Sequence, residues 1–255
     1  MKTKKKAPII RIKGFDGDWE QRKLGDVVNV YDGVHKTPDY TDGGIMFLSV
    51  ENISTLKSEK YISEEAFNRD FKVYPEKGDV LMTRIGDVGT PNVVETTKKV
   101  AFYVSLALLK PTDIDSYFLC NSILSPFFQN GLKERTLVTA IPQKINKDEI
   151  GKVSLFVSTS IDEQREIGAF FQSLDNLITL HQREIDRIVC LRKAMVEKMF
   201  PQNGADVPAV RFSRYKEPWR LCQFSEIFTE RHIIDTISDE YPQLAFTIEE
   251  GVIRP

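Results

Sequence analysis

One uninterrupted amphipathic run, residues 160–200, limits the possible folds of this chain more than any other feature. It contains no proline, and its single glycine is Gly168. Its apolar positions alternate by four and three residues, the spacing of a coiled-coil seam, and only a histidine and an arginine interrupt them. The seam positions are Ile167, Phe171, Leu174, Ile178, His181, Ile185, Ile188, Arg192, Met195 and Met199. The sequence therefore predicts one long helix in place of several short ones.

The ends and the surroundings of this helix can also be predicted. Ser160 and Glu163 have the spacing of a capping box, in which each side chain satisfies a free backbone donor of the other residue. Residues 167–199 would span about 50 Å at about 1.5 Å per residue, and a helix of that length needs a surface to pack on. Its own first domain and a second helix both remain open as that surface. Three further apolar residues widen the stripe and favour a second helix as the packing surface: Phe170, Leu177 and Leu191.

The start of the chain is repeated after the helix. Residues 7–28 read APIIRIKGFDGDWEQRKLGDVV, and residues 207–228 read VPAVRFSRYKEPWRLCQFSEIF, without a gap at an offset of 200. The pairs include Pro8 with Pro208, Arg11 with Arg211 and Trp19 with Trp219. A tryptophan between a polar turn and an amphipathic segment usually fixes that segment to a core, so we interpret each one as a structural anchor of its module.

Residues 22–157 have the pattern of a mixed domain that is rich in strands. Short apolar runs lie between turn signals: VVNVY, GIMFLSV, DVLMTRIG, NVVE and VAFYVSLALL. The spacing from Asp115 to Lys133 is helical. We predict an α+β fold with a strand-rich domain over 1–159, a long coiled-coil-type helix over 160–201, and the incomplete start of a second domain over 202–255.

Composition excludes several classes of function. No run reaches the roughly 18 apolar residues of a membrane span, so we expect no membrane and a cytoplasmic location. The loops GxxxxGK[ST], GxGxxG and GxSxG do not occur, and we expect no cofactor and no catalytic residue. His35, His181 and His232 have no second ligand at metal spacing, so no metal is expected. The net charge of −2 is low for a protein that binds nucleic acid by itself.

Polar and basic residues on the predicted loops of the first domain are the candidates for contact with DNA. Lysine and arginine bind phosphates, and arginine, glutamine and histidine can also read base edges. Each residue taken alone also fits a solvated surface charge. The candidates are His35, Lys36, Thr37, Tyr40, Arg84, Lys98, Lys99, Arg135, Gln143 and Lys144.

Two other functions stay open at this point. Pro38 and Asp39, with Glu59 and Lys60, could form the acidic cluster of a standalone DNA nuclease. Such a nuclease would need Mg²⁺ and would lose cutting on Asp39→Ala. The other alternative is a helical scaffold that binds a protein through the long helix and does not bind DNA.

The order of these motifs resembles the specificity (S) subunit of type I restriction-modification enzymes. The pattern P-x-x-R…W, then GDVLMTRIGDVG, then IDEQREIGAFFQSLDNLITLHQREIDRIVCLRKAMVEKMFP, and then the first pattern again carries the likeness. In that family two target recognition domains alternate with two helical segments, and the chain resembles such a subunit truncated early in its second recognition domain.

The resemblance implies a non-catalytic protein that reads a split DNA sequence and positions methyltransferase subunits, with restriction subunits as a further class of partner. The helix would act as a spacer that separates two readers by up to about fifteen base pairs. With one complete reader, we predict an antiparallel homodimer through residues 167–199 that reads a palindromic split site. His181 and Arg192 in the seam would then fix the register of the two helices.

Overall fold

A computed structural model describes residues 7–202, 204–229, 238, 242–247 and 251–253 of the chain. The chain divides into two compact units, Met1–Gln182 and Arg183–Pro255. The long helix begins in the first unit and ends in the second. The predicted module boundaries at 159/160 and 201/202 stay predictions.

The first unit alternates short strands with short helices before the long helix begins. Its strands are β1 Trp19–Lys23, β2 Val28–Asp32, β3 Ile45–Leu48, β4 Tyr61–Ile62, β5 Val80–Ile85, β6 Asp87–Val93, β7 Val100–Phe102, β8 Leu106–Pro111 and β9 Ser154–Ser158. Its helices are α1 Glu64–Asp70, α2 Ser116–Leu124, α3 Pro126–Arg135, α4 Lys147–Gly151 and the start of α5 Ile161–Met199.

The strands form three sheets. The largest has the order β2-β8-β5-β6 and is antiparallel throughout. A second sheet has the order β4-β3-β7, in which β3 and β7 are parallel, and β1 pairs with β9. Because β2 and β5 both run antiparallel to β8, they run in the same direction, and Asp32 and Ile85 end them at the same edge of the sheet.

Both faces of the four-stranded sheet are buried, and each face contributes to its own apolar core. Val80 and Met82 pack with α2 and α3 residues such as Phe118, whereas Leu81 packs with Phe47 of the three-stranded sheet and with α1. This follows from the alternation of side chains along a strand. Each fully buried Leu or Phe side chain stabilises the fold by about 1.5–3 kcal/mol.

The α+β class and the long helix are confirmed, and one local prediction was wrong. The run VAFYVSLALL is two strands, β7 and β8, which belong to different sheets and are separated by a turn at 103–105. The helical spacing of residues 115–133 is confirmed, and it forms two helices, α2 and α3, because Ser125 leaves the helical conformation and then caps α3 ahead of Pro126.

The second unit holds the end of α5 and the described part of the repeated segment. It includes α6 Phe224–Ile227 and a hairpin of β10 Ala245–Thr247 with β11 Gly251–Ile253. The Val210 amide donates to the Lys198 carbonyl (3.0 Å), and the Trp219 amide donates to the Asp206 carbonyl (2.7 Å). The repeated segment therefore folds back on the end of α5.

No helix among the described residues is both long and apolar enough to cross a membrane.

Candidate nucleic-acid interface

Three segments lie next to the ends of β2 and β5, and we call this group the loop edge. The segments are 33–41, 84–87 and 137–145. The first leaves β2 through Gly33, where a Cβ atom would lie 2.5 Å from the Phe102 carbonyl oxygen, so only glycine fits this approach. The second segment is the turn from β5 to β6. Seven of the ten predicted DNA-binding residues lie in these segments.

Arg84 links the loop edge together. Its guanidinium forms an ion pair with Asp32 at the end of β2, and the residue is 5% exposed. Its amide donates to the Ser105 carbonyl (2.9 Å), and its own carbonyl accepts from the Ile145 amide (3.0 Å). Burial lowers the pKa of Arg84, and its Nε atom is buried without a hydrogen-bond partner among the described residues. Arg84 is therefore a structural centre of the edge and is not on its surface.

Four candidates of the segment 33–41 are exposed: His35, Lys36, Thr37 and Tyr40. The Tyr40 ring packs on Phe47 at 5.8 Å between centroids, and the Lys60 ammonium lies 5.8 Å from the Tyr40 centroid. Lys60 also forms a 2.6 Å ion pair with Glu51. The Lys36 charge is close enough to α1 to contribute to the lowered pKa of Asp70, whose main cause is a hydrogen bond from Arg69.

Gln143 and Lys144 are exposed and are held against the β5–β6 turn. The Gln143 side-chain amide donates to the Gly86 carbonyl (3.1 Å), and the Gly86 amide donates to the Gln143 carbonyl (2.9 Å). Lys144 forms isolated bridges with Ile85 and Leu137. These backbone contacts fix the segment and leave the Lys144 side chain at the surface.

The other three candidates lie elsewhere. Lys98 and Lys99 precede β7, and the Lys99 ammonium lies 5.5 Å from the Phe67 ring of α1. Arg135 ends α3 and forms a 3.1 Å ion pair with Glu149. The structure thus brings Arg84 together with Gln143 and Lys144, and it places the four exposed candidates of 33–41 on the segment that follows Asp32, the ion-pair partner of Arg84.

Sequence reasoning missed two residues of this region, Asp32 and Lys60. Asp32 stands in the Asp-Gly pair that marked a turn, and no local signal shows that its carboxylate meets an arginine 52 residues later. Lys60 was considered only as part of an acidic cluster with Asp39 and Glu59. The described residues contain no group of three or more His, Cys, Asp and Glu that could hold a metal ion, and His232 lies outside them.

The start of α5 is attached to the first unit by a buried carboxylate. Glu163 is 0% exposed and accepts from Arg11 Nε (2.6 Å), Arg11 Nη2 (2.8 Å), Trp19 Nε1 (3.2 Å) and the Ser158 hydroxyl. We call this cluster the Glu163 clamp. Burial alone would raise the pKa of Glu163, but the hydrogen bonds from Arg11 and Ser158 outweigh it and the pKa is lowered.

The capping box expected at this position is therefore only half present. The Glu163 amide donates to the Ser160 hydroxyl (3.3 Å), as expected. The Glu163 carboxylate is engaged by Arg11, and the Ser160 amide donates to Ser158 instead (3.1 Å). A hydrogen bond from a guanidinium to a carboxylate is stronger than a hydrogen bond from a backbone amide at a helix end to the same group.

The predicted seam of α5 is largely exposed. Phe171 is 40%, Leu174 39%, Ile178 67%, Ile185 53%, Ile188 58% and Met195 36% exposed. His181 and Arg192 are also exposed, and Ile167 and Met199 are partly buried. The first turns of the helix pack on the rest of the first unit, where Gln164 and Gly168 are buried. An exposed apolar stripe that only His181 and Arg192 interrupt is typical of a protein–protein contact.

Residues 16–189 match the family described as "Type I restriction modification DNA specificity domain". Because the match covers more than half of the chain, the chain belongs to that family. The family expected from the sequence is thereby confirmed.

Individual relatives agree with this assignment. The chain is similar to the type I restriction enzyme MjaVIII specificity subunit of Methanocaldococcus jannaschii, with 22% identity over 197 residues, which is 70% of this chain and 44% of that protein. It is also similar to the MjaX specificity subunit of that organism, with 24% identity over 254 residues, which is 92% of this chain and 58% of that protein. The chain spans about half the length of the curated relatives it matches.

The fold is also similar to a solved structure, the type I restriction-modification system S subunit from M. genitalium. The TM-score is 0.51 at 17% sequence identity, and the likeness covers 72% of this chain and 46% of that one. At this identity the likeness supports the fold alone.

Proposed function

We propose that this chain is a sequence-specific DNA recognition subunit of a type I restriction-modification complex. It directs methyltransferase subunits, and in a restricting complex restriction subunits, to a bipartite target, and it does not itself catalyse. The observation that carries this proposal is the match of residues 16–189 to a DNA specificity domain. The partners supply the chemistry, and this chain supplies the choice of sequence.

The loop edge is the DNA-reading surface in this proposal. Its exposed side chains include both types that such a surface needs: Lys36 and Lys144 for phosphates, and His35 and Gln143 for base edges. The ion pair of Arg84 with Asp32 joins segment 84–87 to the end of β2, and the Gln143–Gly86 contacts join it to segment 137–145. A rigid reading surface lowers the entropic cost of binding.

The test is a map of methylated positions in a genome that expresses the chain with its methyltransferase subunit. We expect one split motif in the presence of the wild-type chain. The double variant Lys36→Glu with Lys144→Glu should lose methylation at that motif, because two phosphate contacts become repulsive. Lys23→Glu is the matched control, because Lys23 is exposed and lies near the opposite end of β2.

If the double variant methylates the motif as fully as the control, the loop edge does not read DNA. The scaffold alternative, in which α5 binds a protein partner and the loops are only surface, would then be the better account.

Arg84 has a different role in this proposal, because it is buried. It positions the segments of the loop edge through Asp32, Ser105 and Ile145. Arg84→Gln should therefore lower both the melting temperature and methylation, whereas Lys36→Glu should lower methylation alone. Methylation lost without any change in the melting temperature of Arg84→Gln would contradict the positioning role.

We also propose that two copies of the chain pair through α5 in antiparallel fashion. The exposed seam supports this pairing. A partner that covers Ile178, Ile185 and Ile188 would stabilise the complex by about 25 cal/mol for each Å² of apolar surface removed from water. Light scattering after size exclusion should give a dimer at micromolar concentration, and Ile178→Asp with Ile185→Asp should give a monomer. Asn176→Asp on the opposite side of the helix is the control. The pairing would be contradicted if the wild-type chain stayed a monomer both alone and with the methyltransferase subunit.

A further inference from the structure

The internal repeat places a second copy of the Glu163 clamp residues in the second unit. In the first copy, Arg11 and Trp19 both donate to one buried carboxylate. Their counterparts at the offset of 200 are Arg211 and Trp219. No carboxylate reaches Arg211 among the described residues, and its Nη1 atom is buried there without a hydrogen-bond partner. A buried guanidinium nitrogen without an acceptor costs free energy that a ligand could recover.

Arg211 and Trp219 line one open groove of about 500 Å³ within the second unit. The other wall is the end of α5 with the residue that follows it, and apart from Arg192 it is apolar: Met195, Val196, Met199 and Phe200. The Trp219 ring packs edge-on against Phe200 at 5.7 Å and is 44% exposed. The groove therefore offers two cations, Arg192 and Arg211, and one indole donor within a largely apolar surface. The complementary ligand is an apolar segment that carries a carboxylate.

The first unit shows a segment with these properties. Glu163 lies at the start of a helix that directly follows a strand, and Ile167 and Phe171 are the apolar residues of the next turns. The curated relatives are about twice as long as this chain, so a protein of their length has room for a second strand–helix junction of this kind.

We propose that Arg211 and Trp219 form a receptor for a glutamate at the start of a helix, supplied by a second module with the chemistry of residues 158–164. The carboxylate accepts hydrogen bonds from the Arg211 guanidinium and the Trp219 indole N–H. The apolar residues that follow the glutamate cover the groove. This receptor would dock a second module whether or not the loop edge reads DNA, so the inference does not depend on the proposed function.

The probe is a synthetic, capped peptide of residues 152–172, KVSLFVSTSIDEQREIGAFFQ, added to the full chain. The chain has two tryptophans, so labelling with 5-fluorotryptophan gives two ¹⁹F resonances, which Trp19→Phe and Trp219→Phe assign. We expect the peptide to shift the Trp219 resonance and to leave Trp19 unchanged, because Glu163 of the same chain already occupies that clamp.

Two substitutions test the carboxylate. The peptide with Glu163→Gln, and separately the chain with Arg211→Met, should each bind at least about tenfold more weakly, since each removes a charge-assisted hydrogen bond. Arg214→Met is the matched control, because Arg214 lies over the Tyr215 ring at 4.8 Å and should leave binding unchanged. An unchanged Trp219 resonance in the absence of peptide shows that the second unit of each variant chain is folded.

Three results would overturn the proposal. They are no shift of Trp219 at about 1 mM peptide, equal binding of the Glu163→Gln peptide, and a shift of Trp19 in place of Trp219. Equal binding would mean that the groove takes any apolar segment. None of these results bears on DNA methylation, so failure here and failure of the proposed function are distinguishable.

Discussion

The Glu163 clamp is a buried link between the start of α5 and the rest of the first unit, and Glu163→Gln tests it directly. The substitution keeps the size of the side chain and removes its charge, so both bonds from Arg11 lose their ionic character. Breaking a buried ion pair costs about 3–5 kcal/mol, and hydrogen bonds to charged groups contribute about 1.5–3 kcal/mol each. Arg11 is 16% exposed and can regain water, so we expect a loss of about 2–3 kcal/mol.

The pH dependence gives an independent check of the same contact. The pKa of Glu163 is lower in the folded chain than its ordinary value of 4.5. A lowered pKa means that the stabilisation is complete above the unfolded pKa and is lost as the pH falls through the folded pKa. The difference in stability between the wild type and Glu163→Gln should therefore be constant from neutral pH down to about pH 5 and should shrink at more acidic pH.

The assay is thermal unfolding followed by circular dichroism between pH 4 and pH 8. For a unit of this size, the melting temperature should fall by about 5–10 °C at neutral pH. Glu166→Gln, at an exposed position of the same helix, should change it by less than about 1 °C. A fall as small as that of the control, or a difference that grows as the solution is acidified, would refute this account of the clamp.

Two further predictions follow from α5 and α2. Gly168→Ala should lower the melting temperature, because the added Cβ atom would lie 2.8 Å from Asp115 Oδ1 and 3.0 Å from the Phe118 amide. This effect opposes the helix preference of alanine over glycine, which is about 1 kcal/mol. A higher melting temperature would show that α5 can shift away from α2. Burial raises the pKa of Cys120 to about 12, whereas Cys190 is exposed, so iodoacetamide at pH 8 should alkylate Cys190 first, as peptide mass spectrometry would show, and equal rates would mean that α2 opens readily.

The sequence determined the elements that can be recognised from the pattern of their own residues and of their close neighbours in the chain. The four-and-three spacing predicted a helix close to the observed Ile161–Met199, because every position of that stripe reports the same period. The gapless repeat at an offset of 200 paired Arg11 with Arg211 before any contact was known. Turn residues and apolar alternation located most strands of the first unit, and motif order predicted the family.

Tertiary structure decided which of these residues meet. Val100–Phe102 and Leu106–Pro111 read as one apolar run, and only the pairing of β7 with β3 and of β8 with β2 and β5 separates them. Arg84 has the sequence of a surface turn, but its guanidinium is buried because Asp32 reaches the same sheet edge. Glu163 fits a local cap, yet it binds an arginine 152 residues earlier in the chain. These outcomes depend on contacts between residues that are distant in sequence. A local pattern cannot predict such contacts, because its period describes only one helix or strand at a time.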